Sequence, residues 1–325
     1  MPGRTVAKLA TVSAVIAASV LAVAPTAHAD LVTHCIGTGG AVTVPNDLLV
    51  PAGESCALTG TTITGNVTVA AGGNLVVTGG RISGEVRVAA DGYLDATETT
   101  VAGQVVLAAG GYGIFLKDAS TGTVTVRPKG STTIDSFLFA EATTVSGHVN
   151  VSAGEVRLDQ GTQVQRNLSS TGTYYTDLHD SFVDGTLSVL NSATGSVVCG
   201  SAVQGRATFA GNLGGVQLGP NGTLDSCASG GYWGGDVSVT STTGGVTVDD
   251  NIINGQLAVT SNDPAAQVAA NNRIRGGVTG DQATTTANRA ARVAGPDREE
   301  AGDQRAEVRR TSAVQEATEA GAARL

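Results

Sequence analysis

The stretch Gly65-Asn66-Val67-Thr68-Val69, running through Ala70-Ala71-Gly72-Gly73-Asn74-Leu75-Val76-Val77 to Arg81-Ile82-Ser83, decides how the chain folds. Its first five residues alternate polar and apolar side chains. Alternation with period two puts Val67 and Val69 on one side of an extended strand and Asn66 and Thr68 on the other. Val and Thr favour such strands. A strand this short cannot bury its apolar side alone, so it needs neighbours of the same kind.

The sequence supplies them at a fixed interval. A small residue with apolar residues two and four places on recurs at Gly65, Gly84, Gly103, Gly122, Gly147, Gly185, Gly235 and Gly255, with weaker copies from Asn46, Arg166, Gly205 and Gly276. From Asn46 the spacings are 19, 19, 19, 19, 25, 19, 19, 20, 30, 20 and 21. Two further columns keep phase. A second apolar pair follows each Gly (Leu75 and Val77, Val216 and Leu218, Val246 and Val248), and a single, mostly β-branched residue precedes the next one (Ile63, Ile82, Val101, Val145, Val164, Val183, Val203, Ile253, Ile274). Three short strands per unit, joined at corners where Gly offers positive φ or a missing Cβ, build a coil that stacks on the coil before it. The expected fold is all-β: a single-stranded right-handed parallel β-helix of about 12 coils, roughly 55 Å long at a strand spacing near 4.8 Å. An antiparallel β-sandwich is the competing reading, but it does not require three columns to stay in phase.

Composition agrees. The chain has 325 residues, 45 of them Gly, with 3% aromatic and 14% charged. That suits thin stacked strands better than a thick two-layer core. Residues 1–29 read as a secretory signal, with Arg4 and Lys8, an apolar run from Leu9 to Val23, and Ala27-His28-Ala29 before Asp30. Residues 30–45 are expected to cap the rod and 46–280 to form it. Residues 281–325, rich in Ala, Arg and Glu, lack two-residue alternation and are expected to be disordered or partly helical. Residues 30–280 carry 10 Arg and Lys against 20 Asp and Glu. That balance argues against nucleic acid and anionic membranes as partners and leaves a cell-surface glycan or a second copy of the chain. The expected location is extracellular.

Four cysteines in a secreted chain read as disulfides. Cys35 and Cys56 fall at nearly the same phase of neighbouring coils, as do Cys199 and Cys227, so Cys35–Cys56 and Cys199–Cys227 are the expected pairs. The spacing of one coil lies inside the Cα range a disulfide allows. The second pair would brace the 30-residue unit. No Cys-x-x-Cys pair points to zinc.

Candidate chemistry is sparse. Tyr174-Tyr175-Thr176-Asp177-Leu178-His179-Asp180 gathers two aromatics, two carboxylates and an imidazole. Such a group can bind a sugar or move protons, although Leu178 fits the core and the two Asp fit turns. Trp233, on the longest unit, can stack on a sugar ring or cover a local core. Glu98, Asp118, Asp135, Asp180 and Asp249 lie 13 to 15 residues into their coils, as a Ca2+-binding carboxylate column would, but Asp also favours turns for its own sake. No metal, cofactor or catalytic residue is assigned. An outward column of Thr68, Arg87, Val106, Thr125, Asn150, Ser169, Ser188, Thr208 and Ser238 is small and polar but too broken for ice binding.

These Gly-x-Val-x-Val units, most characteristic at Ser55–Val69, resemble the coils of right-handed parallel β-helix proteins, both the bactofilin or polymer-forming group and secreted actinobacterial proteins without an assigned role. The resemblance covers 46–280 and rests on repeat style. Bactofilins are cytoskeletal, whereas this chain carries an export signal and paired cysteines. Pectate-lyase-type enzymes share the fold, but no stretch matches their catalytic residues. The expectation is a secreted, non-catalytic structural or surface-interaction rod; the alternative is a carbohydrate-active binding protein, lyase or hydrolase.

Overall fold

A computed structural model describes residues 1, 3, 31–285 and 298–325. The expected signal peptide therefore lies almost wholly outside the described residues. From Leu31 to Leu325 the chain forms one compact unit.

That unit is a parallel β-solenoid of about 12 turns. Three sheets run along it, here called A, B and C, with 13, 13 and 12 strands among the described residues, and every strand pairs with its counterpart one coil away. One coil reads Val67–Val69 in sheet A, Asn74–Thr78 in sheet B and Arg81–Ile82 in sheet C. The register is strict. Val67, Val86, Val105 and Val124 stack on one another in sheet A, and each is fully buried. The outward column beginning Thr68–Arg87–Val106–Thr125 runs in the expected order to Ser238. Inside, Leu75, Leu94, Ile114 and Leu138 line up in sheet B and Ile63, Ile82 and Val101 in sheet C, all within one core.

The recurring Gly does its work through its missing Cβ. A methyl group on Gly84, Gly103, Gly122 or Gly205 would come within 2.5–2.6 Å of the carbonyl oxygen of the preceding column Gly. This corner is where successive coils touch backbone to backbone. A different corner, after sheet B, takes positive φ, and there the residue is Gly60, Gly79, Glu98, Asp118, Ala142, Gln160, Asp180 or Gly200. Behind it runs a buried hydroxyl column. Thr99 Oγ1 accepts from Gly80 N at 3.2 Å, Thr143 Oγ1 from Ala119 N at 3.3 Å and Thr162 Oγ1 from Thr143 N at 3.2 Å. The column satisfies backbone donors that the sheets leave open as the chain turns.

Two boundaries differ from the sequence reading. Residues 32–44 are not a cap: Val32–His34, Gly37–Gly39 and Thr43–Val44 pair with the next coil and form the first one. At the other end Gln282–Thr285 pairs with Ala266–Ala269, so the solenoid continues past 280. The segment expected to be disordered or partly helical contains an α-helix, α1 (Arg298–Ala320), which lies against the outer face of sheet B. Beyond α1, Thr38 N donates to Gly321 O and Ala323 N to Thr38 O, both at 2.8 Å, so the last residues add to the open edge of the first coil. Leu325 packs on the core there. A sheet edge covered in this way cannot template further pairing.

Both expected disulfides are present, with Cα–Cα distances of 5.6 Å for Cys35–Cys56 and 5.4 Å for Cys199–Cys227. The first joins coils one and two inside the core. The second ties the insertion at 219–231 to the body.

Candidate functional site

Alternation places every other residue of a sheet B strand outward. Register then sorts these residues into columns. The outward column through the strand centres reads Val76, Asp95, Phe115, Phe139, Arg157, Asp177, Val197 and Gln217. Beside it run Asn74, Tyr93, Gly113, Phe137, Glu155 and Tyr175. Aromatic and ionisable groups thus gather on this face, and α1 covers them.

The fit of α1 follows from arithmetic. Twenty-three residues at 1.5 Å per residue give a helix of about 34 Å. The eight strands from Gly37–Gly39 to Tyr175–His179 span seven steps of about 4.8 Å, also about 34 Å. Gly302, Ala306, Ala313 and Ala317, spaced by four or seven residues and so on one side of the helix, form the buried stripe. Their small side chains let the helix backbone approach closely enough for Tyr93 Oη to donate to Ala306 O at 3.4 Å.

Arginines flank the stripe. Arg305 lies over the Phe137 ring at 4.7 Å, Arg309 over Tyr112 at 4.7 Å and Arg298 over Tyr175 at 4.0 Å. Arg309 Nε donates to Asn74 Oδ1 at 2.8 Å, and Arg310 pairs with buried Asp95 at 3.6 Å. From the sheet, Arg157 answers in the opposite sense. It is 3% exposed, stacks on Phe139 at 4.4 Å, donates to Glu299 O at 3.1 Å, and pairs with Asp303, Asp159 and Glu141. Burial works against its charge, but the Asp303 carboxylate and its neighbours outweigh that and raise its pKa. Burial likewise raises the Asp95, Glu155 and Glu299 carboxyls and pushes Asp159 to about 7, against the pull of Arg157.

The residues singled out from sequence fall in different places. Tyr175, Asp177 and His179 come together on the outer face of one sheet B strand. Tyr174 stands at the corner before it, half exposed, with Arg298 5.5 Å from its ring. Asp180 occupies the positive-φ corner at φ 45°, as do Glu98 at 50° and Asp118 at 49°, so backbone conformation accounts for that column. Asp135 and Asp249 do not share the position: the former lies in the 127–136 loop, and in the latter's coil Asp250 takes the positive φ. Trp233 is fully buried in sheet C between Val203 and Ile253, its Nε1 donating to Asn251 Oδ1 at 2.9 Å. It is core, and its ring does not meet solvent. The sequence signal was phase: Trp233 stands two places before Gly235, as Ile63 does before Gly65.

Sequence reasoning missed Asp225. The insertion brings it back over sheet B, so that His179 lies between two carboxylates, with Nδ1 2.7 Å from Asp177 Oδ1 and Nε2 3.9 Å from Asp225 Oδ2. Burial opposes the charged ring, but the Asp177 carboxylate prevails and holds its pKa at about 9. An imidazole charged throughout the neutral range is a poor general base there, because that role needs a pKa near the working pH. The link to Asp225 was traceable: Cys227 pairs with Cys199, and Cys199 neighbours His179 in register.

Among the described residues no helix is long and apolar enough to cross a membrane. Compared with protein-family models, with curated proteins and with solved structures, the chain finds no match in any of the three.

Proposed function

We propose that the protein is an exported, non-catalytic β-solenoid that serves as a rigid structural or surface-interaction element. One observation carries the reading: the face richest in aromatic and ionisable side chains is occupied by the chain's own helix α1. A polysaccharide-handling β-helix would instead leave such a face open, because sugars stack on exposed rings. A cleft of about 330 Å³ does lie beside the insertion, near Gln217, Asn221, Asp249 and Gln267, but no aromatic lines it. The two disulfides fit an oxidising compartment.

The carbohydrate-active alternative keeps Tyr174, Tyr175, Asp177, His179 and Asp180 as its ligand set. Calorimetric titration of the full chain with cell-wall and plant glycans separates the two. No saturable heat is expected. Saturable binding that Asp180→Ala abolishes would replace the structural reading with the alternative.

A further inference from the structure

We propose that Asp177, His179 and Asp225 form a site for one divalent transition-metal ion of the Zn2+ class. One imidazole nitrogen and one oxygen from each carboxylate lie within 4.8 Å of one another. Bonds of about 2.1 Å set a tetrahedral ligand–ligand edge of about 3.4 Å, so side-chain movements of about 1.4 Å at most close the set. The Asp177–His179 separation of 2.7 Å is an ion pair of the charged ring, so a bound ion takes the place of the imidazole proton, which is released to solvent.

A second observation points the same way. Asp177 is 5% exposed, and its Oδ1 faces the imidazole without an aligned hydrogen-bond donor. A buried carboxylate oxygen left in that condition is costly. A cation shared with His179 and Asp225 would satisfy it without any directional demand.

The third ligand is held in place beforehand. Gln217, itself 1% exposed, grips the insertion from both sides of its amide. Its Nε2 donates to Asp225 O at 2.8 Å, and its Oε1 accepts from Leu224 N at 2.9 Å and Asp225 N at 3.1 Å. Two residues on, Cys227 is bonded to Cys199, the neighbour of His179 in register. This preorganisation lowers the cost of bringing the loop carboxylate to an ion. The His179 and Asp225 side chains are 25% and 34% exposed, which leaves an entry path and room for water ligands.

The donor set selects the class. An imidazole with two carboxylates suits Zn2+, Co2+ or Mn2+, whereas Ca2+ wants six to eight oxygens. With the cysteines joined, no thiolate competes as a ligand.

The test uses the full chain, chelator-stripped and shown free of thiols, titrated with Zn2+ by calorimetry and with Co2+ by visible absorption. One ion per chain is expected, with a cobalt d–d band. His179→Gln and Asp225→Asn should each weaken binding about tenfold or more, with the fold of each variant checked by circular dichroism; His148→Gln should bind as wild type. Should His179→Gln fail to fold, Asp225→Asn, on the insertion, decides alone. The site is overturned if wild type takes up no stoichiometric ion, if the two ligand variants bind like wild type, or if Ca2+ is preferred to Zn2+.

Discussion

Sheet B has two halves that share an interior and differ outside. From Gly37 to His179 its outer columns carry Tyr93, Phe115, Phe137, Phe139, Arg157 and Tyr175, and α1 lies over them. Beyond, the same positions hold Gly195, Val197, Gly215, Gln217, Thr247 and Gln267. There the insertion covers two coils, while Thr247 is half-buried and Gln267 exposed. The inward ladder is mostly apolar in both halves, as Leu94 and Leu116 match Val216 and Leu218, with Thr176 and Ser196 as buried polar rungs where the halves meet. One set of side chains makes the coil; the alternate set decides what lies on it.

Three changes break or sharpen this comparison. The largest is Arg157→Ala against Gln267→Ala. The first leaves Asp159, Glu141 and Asp303 without their shared cation, and removing one partner of a buried pair costs about 3–5 kcal/mol. The second, on the open half, should stay within about 0.5 kcal/mol. Denaturant melts followed by circular dichroism check both, and equal losses would mean that α1 gains nothing from this cluster.

Next is Gly103→Ala, which forces a methyl group against Gly84 O. Overpacking of this kind costs about 1–3 kcal/mol. The loss should leave α1 seated, and hydrogen exchange in 298–320 should match wild type at equal distance from the midpoint.

The smallest is a pH effect whose direction the covered half sets. Asp159, at about 7 folded against 3.8 unfolded, binds its proton more tightly in the native state. Stability therefore rises as pH falls from about 7 towards 4. Asp95, Glu155 and Glu299 push the same way. Glu85, whose carboxyl Arg87 holds low, is exposed and opposes them only at lower pH. The melting temperature should climb from pH 8 to pH 5. A fall over that range would reverse the assignment.

Nearly all of the solenoid was legible because its signal is additive. Each coil repeats the same test of phase, and Val67, Val86, Val105 and Val124 pass it together. The disulfides followed from the same phase. The docking of α1 was not legible, because its partner columns lie outside the repeat logic: Tyr93, Phe139 and Arg157 have no common residue type to reveal a stripe. The segment 298–320 read as disordered or partly helical since its buried side consists of Gly302, Ala306, Ala313 and Ala317, which hydropathy hardly registers. Trp233 was left between a sugar platform and a local core for a different reason: the insertion before it obscured that it keeps step with Val203.

The bond between Thr38 and Gly321 spans 283 residues. Every coil between them is synthesised before the segment that seals the first one exists. Closing so long a stretch carries an entropic cost, which grows only with the logarithm of its length. The edge at which the chain starts therefore stays bare until residues 321–323 arrive to cover it.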